Sequence, residues 1–143
     1  MKKTILAAAV TAFCLVNSAP AFAGQGLAVH VTNKSVAMAK LKSKRIFTRS
    51  GLDYRLTKET PTSMLFSKTF PKSYAENVNE LKGRAKGKTV SQVELTFSKK
   101  GKQTKVAGDV WMLLNPKGKN KDKYDMTKTA TFKALKNLMA EIR

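Results

Sequence analysis

The sequence predicts an α+β fold, with an antiparallel sheet of about four or five strands covered by one central helix and a C-terminal amphipathic helix. Three observations carry this expectation. Apolar residues recur at every second position over 27–32, 46–57, 89–97 and 103–114, the period of a half-buried strand. Glycine-bearing breaks at Arg49-Ser50-Gly51 and Lys99-Lys100-Gly101-Lys102 separate these runs into hairpins. Residues 127–143 instead place Ala134, Leu135, Leu138, Met139 and Ile142 at helical spacing.

The first segment reads as an address and not as part of the fold. Lys2 and Lys3 precede an apolar run over 5–16, and Ala21-Phe22-Ala23 closes the segment as an A-x-A cleavage site. The apolar run is shorter than the roughly 20 residues a membrane span needs. Residues 1–23 are therefore expected to be a cleavable secretory signal, leaving 24–143 as a single basic domain, periplasmic or secreted, without a further transmembrane segment. The one cysteine, Cys14, lies within the signal, so the mature chain holds no disulfide and must be stable on its core alone.

In the mature chain, Leu27, Val29 and Val31 form one face of a first strand and are expected to point inward, with His30 facing away from them. Residues 36–45 fit either a helix or a returning strand. Ile46-Phe47-Thr48 and the alternation Leu52, Tyr54, Leu56 suggest a hairpin turning near Gly51. Ser73 and Glu76 have capping-box spacing, Tyr74, Val78 and Leu81 follow at i, i+4 and i+7, and Gly83 supplies a stop, which predicts the central helix. Val93, Leu95 and Phe97 face one side of the next strand, and Val106, Val110, Met112 and Leu114 one side of its return. Trp111 and Leu113 take the opposite side, where the C-terminal helix is the expected cover for the indole.

Composition narrows function more than any motif does. The chain carries 28 Lys+Arg against 9 Asp+Glu, a formal net charge of +19. Lys117, Lys119, Lys121 and Lys123 alternate along a segment that Pro116 and Gly118 keep irregular. If the 89–97 and 103–114 strands pair as a hairpin, Arg84, Lys86 and Lys88 enter beside that segment, gathering all of these cations at one pole. Lys99, Lys100, Lys102 and Lys105 belong to the other end. Concentrated like charge is relieved by a polyanion, and lysine, a hydrated point charge, favours diffuse attachment over readout by a planar fork. Lipopolysaccharide, anionic phospholipid headgroups, acidic polysaccharide and nucleic acid all have the required chemistry.

Catalytic chemistry finds little material. A Ser/His/acid arrangement needs an imidazole, and the chain has one histidine, His30. A metal centre of His and Cys has no ligand set once Cys14 is removed. Asp53, Glu94 and Asp109 are the carboxylates that a sheet could bring together for acid-base work. No glycine-rich phosphate loop of the G-x-x-x-x-G-K-[ST] form is present, and no cofactor is implied. The sequence thus points to an exported, noncatalytic basic binding protein. The alternative is an envelope accessory or assembly protein that holds another protein through its sheet face or C-terminal helix.

Overall fold

The computed structural model describes residues 27–118 and 122–143. The expected signal peptide and its cleavage point lie outside the described residues, as do Lys119 and Lys121. The elements follow in the order β1 (Ala28–Thr32), α1 (Val36–Thr48), β2 (Arg55–Glu59), β3 (Ser63–Phe70), α2 (Lys72–Asn77), β4 (Thr89–Lys100), β5 (Gln103–Leu113), β6 (Lys123–Asp125) and α3 (Ala130–Ala140). All strand pairs are antiparallel, in the order β1-β5-β4-β3-β2, and β6 joins the edge of β5 beyond the end of β1. This is the α+β architecture the alternation predicts, with a sheet of five strands plus the short β6.

The β4–β5 hairpin is the centre of the sheet. Its register runs without interruption from Val90↔Leu113 to Lys100↔Gln103, and Gly101 makes the turn at a positive φ of 61°. Ser91, Val93, Leu95 and Phe97 share a face with Val106, Val110 and Met112, all buried, and Met64 and Phe66 of β3 extend that face. Helices α1 and α3 both cover it: Phe47 of α1 stacks on Phe66 with ring centroids 4.9 Å apart, while Met139 of α3 lies over Gly108. The core is the layer between.

Two of the expected elements are built differently. Residues 46–48 do not begin a hairpin but close α1, which Ser35 caps by accepting the Met38 N–H at 3.3 Å. The buried stripe of this helix is Ala39, Ser43, Ile46 and Phe47. Ser43 interrupts the apolar pattern in sequence, yet its hydroxyl donates to the Ala39 carbonyl at 2.8 Å and is satisfied inside the core. The real hairpin is β2–β3, turned at Thr60 to Ser63, where the Thr60 N–H donates to the Ser63 carbonyl at 2.9 Å. The capping box also fails to form. Pro71, with φ near the value its ring imposes, starts α2 two residues ahead of Ser73, and the helix ends at Asn77. Leu81 reaches the core from the turns that follow.

The facing of β1 is reversed from expectation. Ala28, His30 and Thr32 lie opposite Gly108, Val106 and Thr104 on the packed side, and Val29 and Val31 lie on the other side, which no helix covers among the described residues and which is the uncovered face in that sense. The cause is the close approach of α3. A Cβ on Gly108 would lie 2.5 Å from Met139 Sδ and 3.1 Å from Leu95 Cδ2, so the helix requires small residues beneath it, and Ala28 and Gly108 supply them. The helices are also joined at their ends, since Arg49 donates twice to Glu141, at 2.6 and 3.1 Å, and Lys42 Nζ donates to the Arg143 carbonyl. Gly108→Val should therefore overpack the α3 contact and lower stability by about 1–3 kcal/mol, read as a reduced urea midpoint with unchanged slope.

Candidate functional site

The register of β4 and β5 determines what meets at the end of the hairpin away from its turn. Because Val90 pairs with Leu113, the residues entering β4 and those leaving β5 lie side by side. There Arg84, Lys86, Lys88 and Lys117 line one open cleft of about 770 Å³, together with Gly87, Asn115 and Asp122. Asn115 joins its two walls, accepting the Lys86 N–H at 3.4 Å and donating to an Asp122 carboxylate oxygen at 3.3 Å. The Leu114 N–H donates to the Asp122 carbonyl at 2.8 Å, closing the loop at its base. Arg84 is held with its guanidinium 5.3 Å from the Tyr124 ring centroid.

Four of the cations named from sequence are thus brought together at this cleft. None of the four forms an ion pair among the described residues, and Asp122 is the one carboxylate in the lining. Lys119 and Lys121 belong to the same connection but lie outside the described residues. Lys99, Lys100 and Lys102 cluster at the opposite end, around the Gly101 turn.

Lys123 does not join the cleft. It opens β6, pairs with Leu113, and so enters the sheet's uncovered face, where its ammonium lies 3.5 Å from the Trp111 ring centroid. The expected cover for Trp111 is therefore wrong: α3 lies on the other side of the sheet, and the Lys123 ammonium lies against the indole, which is 6% exposed. The Trp111 Nε1 donates to Gln92 Oε1 at 2.8 Å on the neighbouring strand. Sequence reasoning missed β6 because a three-residue strand carries no period of its own.

This uncovered face also holds two of the three carboxylates considered for chemistry. Glu94 and Asp109 are direct cross-strand neighbours, and Asp125 pairs with Trp111 one step further along. Burial pulls the Lys123 ammonium below its usual range, while Asp109, Glu94 and Asp125 pull it back. Burial likewise pushes Asp109 above the usual carboxylate range, assisted by the charge of Asp125. Asp53 is not part of this group; it adopts a positive φ of 56° before β2 and lines a separate cleft of about 510 Å³ with Arg55 and Lys68. His30 turns its Nε2 into the packed layer, buried and without a hydrogen-bond partner among the described residues. Among the described residues no group of three or more His, Cys, Asp or Glu is arranged to hold a metal ion, and no helix is long and apolar enough to cross a membrane.

No family model, curated protein or solved structure matches this chain.

The Asp109 environment gives a pH test with a definite sign. A carboxyl whose folded pKa is raised binds its proton more tightly in the folded state, so its ionisation removes stability as pH rises through that interval. Asp109→Asn should raise the melting temperature at neutral pH. The difference should shrink as pH falls and vanish once the carboxyl is protonated in both folded and unfolded chains.

Proposed function

We propose that the protein is an exported, noncatalytic binding protein that attaches to an anionic envelope or extracellular component through the basic cleft. The observation carrying this reading is the convergence of Arg84, Lys86, Lys88 and Lys117 on one concave surface with Asp122 engaged by Asn115. Four like charges held in one concavity repel one another, and an anion bound there removes the repulsion and releases its own counterions. The size of the cleft falls in the range of ordinary ligand pockets, which suits a phosphate- or carboxylate-bearing headgroup or sugar seated at the end of the sheet. Three lysines and one arginine provide point charges with little geometric readout, so affinity should follow charge density and not base sequence.

The alternative, an envelope accessory or assembly protein that holds another protein, keeps its sheet face but finds little apolar surface on the C-terminal helix. Phe132, Leu135, Met139 and Ile142 are all buried in the protein's own core.

Titration against lipopolysaccharide, anionic phospholipid vesicles and single-stranded DNA at several salt concentrations tests the proposal and separates the sources. Binding to at least one should weaken steeply with salt. On single-stranded DNA each phosphate contact contributes a slope of roughly −0.7 in log K against log salt, so replacing Lys86, Lys88 and Lys117 by Gln should make the slope shallower by about 2. Salt-insensitive binding, or a slope unchanged by the triple replacement, would remove the cleft from consideration.

A further inference from the structure

Two of the sheet's outer strands, β1 and β2, are built on opposite principles. β2 is defended: Arg55, Lys58 and Glu59 are exposed, the register shifts between Leu56 and Lys58, and Lys40 of α1 reaches its end to pair with Glu59 at 2.8 Å. Charges and a bulge of this kind prevent another strand from docking. β1 has none of these devices. Its sequence, AVHVT, contains no lysine, arginine, acid or proline, and it pairs with β5 without a register shift. Leu27 and Val29 are 41% and 55% exposed at this edge, in a chain where 28 of 143 residues are Lys or Arg.

We infer that β1 is the contact through which two copies of this chain associate, pairing antiparallel edge to edge about His30 and continuing one sheet across both. Strand AVHVT is self-complementary in that register, because Val29 falls opposite the second copy's Val31 and Ala28 opposite its Thr32. Exposed Val29 of each copy then packs beside half-buried Val31 of the other on the face away from the helices.

Charge selects this edge for a second copy of so basic a chain. The nearest cation on that face is Lys105, the β5 partner of Val31. In the paired sheet the two Lys105 side chains stand three strand spacings apart, roughly 14 Å before the offset along the strands is added. That exceeds a Debye length of about 8 Å at physiological ionic strength, so the repulsion is screened there and felt in dilute salt. The cleft is not obstructed. β1 ends its pairing at Gly108, and Leu113 lies five residues further along β5, roughly 17 Å away. A two-fold axis through His30 would carry the clefts to opposite ends of the joined sheet, giving a bivalent particle.

Sedimentation equilibrium of the purified protein at about 100 μM, in salt of about 0.02 M and about 0.5 M, tests the contact. The expected result is a dimer that strengthens with salt, the opposite of the response expected for anion binding at the cleft, so either idea can fail without the other. Val29→Lys should give a monomer with an unchanged circular dichroism spectrum and an unchanged salt slope per cleft on DNA. Thr57→Lys, on the defended edge, should stay dimeric. Should Val29→Lys fail to fold, Val29→Thr supplies the second variant, with dimer affinity reduced several-fold. A monomer at both salt concentrations, a dimer that survives Val29→Lys, or one abolished instead by Met38→Glu with Leu41→Glu on the exposed side of α1 would overturn the inference.

Discussion

The pairing of β4 with β5 is the constraint from which the rest of the structure follows. Its continuous register fixes which side chains form the core layer, and both α1 and α3 pack on the face it defines. The same register fixes the two ends of the sheet. At one end it produces a tight turn carrying Lys99, Lys100 and Lys102; at the other it lays the chain before β4 beside the chain after β5. A shift of one residue would reverse every side chain of one strand and dismantle the core and the cleft together.

Charge is sorted across this frame. Lys99, Lys100 and Lys102 lie at one end of the central hairpin and Arg84, Lys86, Lys88 and Lys117 at the other, while Glu94, Asp109 and Asp125 gather on the uncovered face around Lys123. Those three carboxylates are thereby kept from neutralising the cleft, whose one acid is tied to Asn115. A chain with so few acids retains an electropositive end because of where they are placed as much as how few there are.

The fold was legible where local pattern and tertiary environment agree. The long alternations of β4 and β5 and the 3.6-residue spacing in α3 each reflect one buried face, and antiparallel pairing alone led from the hairpin to the juxtaposition of Arg84, Lys86 and Lys88 with Lys117. Where the environment overrides pattern, the sequence misleads. A satisfied Ser43 concealed the stripe of α1, the proximity of Met139 to Gly108 turned the valines of β1 outward, and Pro71 pre-empted the cap at Ser73. Lys123 looked like a loop cation because its role depends on Trp111, twelve residues earlier and on another strand.

That last contact gives the molecule a built-in reporter. The chain has a single tryptophan, and its ring lies directly beneath the ammonium that begins β6, immediately after the connection that leaves the cleft. Indole emission is sensitive to a charge held against the ring, so detachment of this short strand alters the fluorescence without any label. Events at the sheet's basic end can thus be followed optically through the one residue that anchors its returning chain.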